Sequence, residues 1–298
     1  MKLMRAATLS VADLDRSVGL YNEWLDYTVD ERGDVDADLA ASWGCPGAAG
    51  RRFAVLRPAS GRDIFIRFVE NDPHPDYVPL RTYGWAAIEI CVEDVLAVNE
   101  RMLDSPFEII GPPREIEGLD AIYPMQVKGP DGEIVYFTQI RADLPEFDLP
   151  RAEAPIDRLF ILVLACSDMN ASLDWLEEHV GFAVGRRKLE IVYTMLAKAF
   201  GLPEDDLHVI STMVHGRDVF LELDQLPDLA TPRPGNAGEL PQGVAIGTFR
   251  HPDFDRVDAA CRELWITPPA VRDSAVYGGR RAGTVRAPDG TLVEIVES

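Results

Sequence analysis

The sequence predicts an α+β fold assembled from four copies of one unit: a strand, a helix and three further strands. Three observations carry that expectation. The chain repeats itself at a shift of about 155 residues. An aspartate stands where each candidate helix would begin. Gly-Arg-Asp and Pro-Asp-Gly turns recur at matching places in both halves.

The repeat is read residue by residue. Leu9, Asp13, Ser17 and Val29 match Leu164, Asp168, Ser172 and Val184, and Gly61-Arg62-Asp63 with Phe65 matches Gly216-Arg217-Asp218 with Phe220, all at a shift of 155. Trp43, Gly44 and Pro46 match Phe200, Gly201 and Pro203 at 157; Gly84, Asp94 and Val98 match Gly243, Asp253 and Val257 at 159; Pro130-Asp131-Gly132 matches Pro288-Asp289-Gly290 at 158. Shifts that drift by a few residues place the differences in loops, which tolerate them. Three prolines and several acids between Asp143 and Pro155 interrupt any apolar period, so the boundary is expected near residue 150, with domains over 1–147 and 155–298.

Within the first unit, Ala6 to Val11 reads as a strand and Asp13 as an N-cap. Leu14, Val18, Tyr21 and Leu25 then fall on one face of a helical period, as Met169, Leu173, Leu176 and Val180 do after Asp168. The second and fourth units open with strands from about Trp85 to Val92 and Val244 to Phe249. Asp94 and Asp253 cap the helices that follow, whose stripes are Val95, Val98, Met102 and Phe254, Val257, Cys261. One stretch of the third unit stands out, Leu189 to Phe200, whose Leu189, Val192, Leu196 and Phe200 predict an inserted helix with an apolar face, placed to lid a cavity.

Composition narrows the function classes. The chain has 298 residues, 47% hydrophobic and 27% charged, enough for two packed cores. With 50 acidic against 29 basic side chains, its net charge of −21 repels nucleic acid and anionic membrane surfaces and favours solubility or a cationic ligand. Cys45, Cys91, Cys166 and Cys261 show no paired metal spacing and read as reduced thiols. No apolar leader or membrane-length stretch is present, so a cytoplasmic location is expected.

The run from Leu9 to Tyr21, together with Pro-Asp-Gly and an apolar strand behind it, found in order in both halves, resembles the vicinal-oxygen-chelate superfamily of glyoxalases, bleomycin-resistance proteins and extradiol dioxygenases. The resemblance covers nearly the whole chain. It implies paired βαβββ modules in two domains, each half curling an eight-stranded incomplete barrel around a cavity, with the active site in the C-terminal half as in the four-module dioxygenases.

The same resemblance implies where a metal would be held. Its histidine or glutamine positions on the first strands fall at Ala6, Ala87, Ile161 and Ile246, none of which binds a metal. Its glutamate positions on the last strands fall at Arg67 and Tyr136 in the first half and at Glu222 and Glu294 in the second. Glu222 and Glu294 are therefore the expected catalytic pair, sharing one cavity as acid and base. No cofactor is expected, with a divalent cation bound through Glu222 and Glu294 as the exception. The bland alternative has both glutamates solvated or paired with Arg281 or Arg187. Arg67, Glu89 and Tyr136, with Thr8 and Ser10 beside them, are expected to point inward in the first half, Arg67 and Glu89 as a structural ion pair in a non-catalytic support.

Of five histidines, His208 is the candidate general base, on the strand beside that of Glu222. His74 and His215 lie in turns, His179 on a helix face, and His251 at a strand end. Tyr193, Thr248, Tyr277 and Arg281 are the candidate substrate contacts. Three functions compete: a lyase or isomerase acting on a small oxygenated or aromatic molecule, a metal-free ligand-binding protein of the bleomycin-resistance type, and a metalloenzyme with rearranged ligands His208, Glu222, Glu294 and His251. The expected partner is a small molecule, with neither nucleic acid nor membrane, and self-association as a homodimer is left open.

Overall fold

The computed structural model describes residues 2–185 and 188–298. Its elements follow the repeat. The first module comprises β1 (Met4–Val11), α1 (Leu14–Leu25), β2 (Thr28–Asp34), α2 (Ala37–Ser42), β3 (Arg52–Arg57) and β4 (Phe65–Glu70). The second comprises β5 (Gly84–Val92), α3 (Val95–Leu103), β6 (Glu108–Gly111), β7 (Ile122–Lys128) and β8 (Ile134–Ile140). The third comprises β9 (Ile156–Cys166), α4 (Met169–Trp175), β10 (Ala183–Val184), β11 (Leu189–Val192), α5 (Thr194–Phe200), β12 (Leu207–His215) and β13 (Asp218–Gln225). The fourth comprises β14 (Val244–His251), α6 (Phe254–Ala260), β15 (Ala270–Arg272), β16 (Arg280–Arg286) and β17 (Leu292–Glu297).

The four aspartates do cap their helices. Asp13 and Asp253 accept from the backbone N–H three residues on, as does Asp168 from Ala171, while Asp94 accepts from Leu96 and Ala97. The insert departs from its expected shape. Leu189–Val192 is a strand, paired antiparallel with β12 from Leu189↔Ile210 to Val192↔Leu207, and only Thr194–Phe200 is helical. The free edge of β12 offers backbone partners to a β-branched segment, and those ladder bonds outweigh a helical period that one turn of sequence suggests weakly.

The modules pair differently from the halves of the chain. One sheet has the order β15-β16-β17-β14-β1-β4-β3-β2, and the other runs β10-β12-β13-β9-β5-β8-β7-β6 with β11 on β12. Module one thus joins module four through the antiparallel pair β1·β14, and module two joins module three through β5·β9. The expectation that residues 1–147 and 155–298 each close their own barrel is corrected. The acidic, proline-rich segment near residue 150 links two modules of one sheet, while the chain crosses between sheets at 71–83 and 226–243. These two crossovers pair with each other, Thr231 N–H donating to Arg81 O and Tyr83 N–H to Thr231 O, both at 3.1 Å.

Strand alternation divides the apolar residues. Ile88, Ile90, Leu162, Leu164, Leu221 and Leu223 face the core between the two sheets, and their neighbours Ala87, Ile161 and Val163 face the concave side of the second sheet. The Pro-Asp-Gly turns do more than reverse the chain. Asp131 of module two accepts from Ala12 N–H at 3.0 Å and Ser17 Oγ at 2.6 Å in module one, and Asp289 of module four accepts from Ser167 N–H and Oγ at 2.8 and 2.6 Å in module three. Each turn clamps one sheet onto the strand–helix corner of the other. The four thiols are all buried, and burial raises their pKa values. No helix among the described residues is long and apolar enough to cross a membrane.

The sheets approach closely at Gly247. A methyl group there would stand 2.6 Å from Trp85 Cζ2 and 2.8 Å from Leu162 Cδ1. Trp85 has little room to move, because its Nε1 donates to Leu292 O at 2.8 Å and its ring lies 5.9 Å from that of Phe249. Gly247→Ala is therefore expected to destabilise the fold by about 1–3 kcal/mol through overpacking, read as a lower urea midpoint at unchanged slope.

Candidate functional site

Two concave faces are available, and the sequence repeat places equivalent residues on each. On the first sheet the set is Arg67, Thr248 and Glu294; at the repeat shifts of 155, 159 and 158 the second sheet carries Glu222, Glu89 and Tyr136. Their fates differ.

On the first sheet the polar groups satisfy one another. Glu294 accepts from Trp43 Nε1, Tyr277 Oη and Thr248 Oγ1, each at 2.8 Å, and from Arg67 Nη2 at 3.2 Å. Arg67 also donates to Thr8 Oγ1 at 2.9 Å and Tyr277 Oη at 2.6 Å, with its guanidinium 4.6 Å from the centre of the Trp43 ring. Arg67 and Glu294 are 2% and 1% exposed, so the pair is sealed from water. Trp43, delivered by the end of α2, plugs the concave face. Its counterpart in the repeat, Phe200 at the end of α5, instead belongs to the apolar wall of the second sheet.

The second sheet keeps an open cavity of about 560 Å³. Its walls are apolar, with Ile110, Ile122 and Phe147 on the side of module two and Phe160, Ile191 and Ile210 on that of module three. Glu89, Tyr136, Thr138, Tyr193, Thr212 and Glu222 are among its polar groups, and Arg114 and Lys198 also line it. Two segments overhang the mouth from opposite modules, the β6–β7 loop and the β11–α5 insert, tied by a hydrogen bond from Arg114 to Thr194 Oγ1. The cavity has the size and mixed lining of a small-molecule site.

Two carboxyl groups, Glu89 and Glu222, line the cavity, and a third, Asp224, is hydrogen-bonded to Glu222. Glu89 accepts from Thr138 Oγ1 at 2.5 Å. Glu222 hydrogen-bonds to Asp224, which also accepts from Tyr193, and the Tyr193 and Tyr136 hydroxyls share a short hydrogen bond. Asp224 is 4% exposed, and its Oδ1 has no partner among the described residues. No described cation forms an ion pair with any of the three acids. Burial raises all three pKa values, assisted by mutual repulsion: Glu89 feels Glu222, Glu222 feels Asp224, and Asp224 feels Glu89. Within the Glu222–Asp224 pair the hydrogen bond favours the proton on Glu222 and the charge on Asp224.

These shifts make stability depend on pH. A carboxyl whose folded pKa lies above its unfolded value keeps a proton that the unfolded chain has released, so stability falls as pH rises between the two values. Glu89 and the separately buried Glu133, both pushed up to about 8 chiefly by burial, act in this sense over the neutral range. His208 and His251, lowered by burial, act oppositely but titrate below it. From pH 7 to pH 8 the unfolding free energy from urea titration should drop by up to roughly 1.4 kcal/mol per pH unit for each such carboxyl, and Glu89→Gln should remove part of the slope.

The sequence candidates scatter accordingly. Glu222 and Tyr193 meet in the open cavity. His208 is buried on β12 behind it, its ring 6.3 Å from that of Tyr193 and its Nε2 without a partner among the described residues. Glu294, Thr248 and Tyr277 form the sealed network of the other sheet, and Arg281 is a surface residue paired with Glu297 and Asp255. His251 Nδ1 accepts from Asp253 N–H at 3.1 Å, a corner contact. Arg187 lies outside the described residues. Two expectations are corrected: Glu222 and Glu294 do not share a cavity, and Arg67 pairs with Glu294 and not with Glu89. Glu89 and Tyr136 of the first half line the cavity. Sequence reasoning missed Asp224, although Glu222-Leu223-Asp224 has the spacing that puts two acids on one face of a strand.

The metal positions implied by the resemblance can be tested on these donors. Glu222 and Glu294 sit on different sheets, so no ion bridges them, and the rearranged set with His208 and His251 divides in the same way. On the first sheet the Arg67 guanidinium occupies the place of a ligand. On the second, Ala87 and Ile161 donate nothing, and Glu222 is engaged with Asp224. No group of three or more His, Cys, Asp or Glu among the described residues is arranged to hold an ion. The residues present do not fit the implied metal.

No family model matches the chain, and no curated protein matches it. Solved structures do. Glyoxalase I from Zea mays superposes with a TM-score of 0.63 at 18% identity, covering 100% of this chain and 92% of that one. A candidate dioxygenase from Bacillus subtilis subsp. subtilis str. 168 superposes with a TM-score of 0.64 at 15% identity, covering 99% and 86%. At such identities the likeness is one of fold.

Proposed function

We propose, for a chain that has the vicinal-oxygen-chelate fold, that the cavity of the second sheet performs acid–base chemistry on a small, largely apolar molecule bearing a carbonyl or hydroxyl group, as a lyase or isomerase. One observation carries this reading: Glu89 and Glu222 line one largely apolar cavity, with Asp224 hydrogen-bonded to Glu222, and all three have raised pKa values and no ion pair with a described cation. Acids whose pKa values are raised above the usual carboxylate range are suited to giving and taking protons at physiological pH. Glu222, which faces the cavity and holds the proton of its pair, is the proton donor. Glu89, on the neighbouring module, is the second proton carrier and takes a proton next to the substrate carbonyl. Asp224 and Tyr193 position Glu222, and the Tyr136 hydroxyl binds substrate oxygen. The apolar walls and the two overhanging segments exclude water, which strengthens each of these contacts. The residues of this chain carry every step.

A panel of small keto and hydroxy compounds tests this without a named substrate. The protein is incubated with each compound in D2O, and deuterium uptake next to the carbonyl is followed by NMR. Uptake by at least one compound, lost in Glu89→Gln, is the expected result. Compounds that stabilise the protein to heat yet exchange no faster than in buffer would assign the cavity to ligand sequestration and end the enzymatic reading.

A further inference from the structure

A second cavity, of about 340 Å³, opens where the chain crosses between the sheets. It is lined from three directions: Gly84 and Trp85 from the start of β5, Arg233 from the second crossover, and Arg286 and Thr291 from the hairpin before β17. Charge and hydrogen bonding are both incomplete there. Arg233 donates from Nε to Thr82 Oγ1 at 3.2 Å, from Nη1 to the carbonyls of Gln242 and Val244 at 3.0 and 2.9 Å, and from Nη2 to Trp85 O at 2.7 Å. That leaves one of its five N–H groups, on Nη2, unspent. Its partners are carbonyls, a hydroxyl and the face of Tyr77, with no carboxylate among the described residues. Thr291 is 4% exposed, and its hydroxyl has no partner among the described residues.

The two unspent donors converge. Gly84 has φ of +99°, a conformation that disfavours a side chain. A methyl placed on it would lie 3.7 Å from both Cζ and Nη2 of Arg233 and 3.8 Å from Thr291 Oγ1. Glycine thus leaves a hollow bordered by the Arg233 guanidinium and the Thr291 hydroxyl. Arg286 stands at the rim, its Nη1 bonded to Gly290 O at 3.2 Å and its charge unpaired among the described residues. Asp289 and Glu239 share that rim, and both are already engaged, with Ser167 and Arg51.

We infer that this crossover cavity binds a small organic carboxylate, one oxygen accepting from Arg233 Nη2 and the other from Thr291 Oγ1, with Arg286 holding the outer end of the ligand. A planar monoanion with two acceptor oxygens matches two donors on either side of a hollow. A single negative charge balances Arg233, whereas a phosphate dianion would meet Asp289 and Glu239 at the rim. The site is separate from the cavity of Glu89 and Glu222 and independent of what that cavity does.

Sodium acetate, sodium benzoate and inorganic phosphate are titrated into the full-length protein at constant ionic strength, with thermal unfolding and calorimetry as readouts. Thr291→Val is the diagnostic variant, since it removes a hydroxyl that has no partner and keeps the side-chain shape, so the fold should survive. The expected result is binding of at least one carboxylate, weakened about fivefold or more in Thr291→Val and weakened with a shallower salt dependence in Arg286→Gln. Glu89→Gln should leave it unchanged. The inference is overturned if neither carboxylate binds, if phosphate binds and the carboxylates do not, or if binding is untouched in Thr291→Val or altered in Glu89→Gln.

Discussion

Replacing Glu294 by alanine is expected to destabilise the fold by about 3–5 kcal/mol, the largest single-residue effect outside the apolar cores. The side chain accepts four hydrogen bonds, from Trp43, Thr248, Tyr277 and Arg67, in a place that water does not reach. Its removal leaves the Arg67 charge buried with only hydroxyls and the Trp43 ring for company, and the cost of a stranded charge exceeds what the pair itself contributed. Urea unfolding of Glu294→Ala measures the loss. A double variant, Arg67→Met with Glu294→Leu, removes both charges at similar volume and should recover most of it, because the two changes act on one interaction. A loss below about 1 kcal/mol in Glu294→Ala would mean that solvent enters the first sheet's concave face, and that the pair is not sealed.

The second large effect is expected at Glu222. In Glu222→Gln the amide N–H still donates to Asp224, so the local geometry is kept, but no proton can be transferred. Deuterium exchange into a responsive carbonyl compound should fall by about 10²–10⁴-fold. Stability should hold or rise, because removing one ionisable group relieves the crowding of three acids. That combination separates a proton carrier from a structural residue, whose loss would lower stability and activity together. Exchange unchanged in Glu222→Gln would transfer the role to Glu89 or dismiss the mechanism, according to the outcome for Glu89→Gln.

Much of the fold is legible without coordinates. Four aspartate caps, the amphipathic stripes behind them and the paired turns state local preferences, and local preferences are what a linear pattern encodes. The failures are also physical. The insert after Val184 is ambiguous in sequence because four residues fit both periods, and the free edge of β12 decides for a strand. The site is half legible: Glu222 and Tyr193 stand in the cavity, while Glu294, chosen by the same register as Glu222, fills the opposite sheet together with Thr248 and Tyr277.

The sequence by itself determined that the chain holds four βαβββ modules, where each begins, and which residues of each point to a concave face. These follow from short-range chemistry, namely caps, turns and strand alternation. Only the tertiary structure decided that module one closes on module four and module two on module three. Either pairing satisfies every local pattern equally, and the choice rests on which first strands meet edge to edge and on how Gly247, Trp85 and Leu162 pack between the sheets. That choice set Arg67 against Glu294 as a sealed pair and brought Glu89 to Glu222 and Asp224, turning one concave face into a filled core and the other into an acidic cavity.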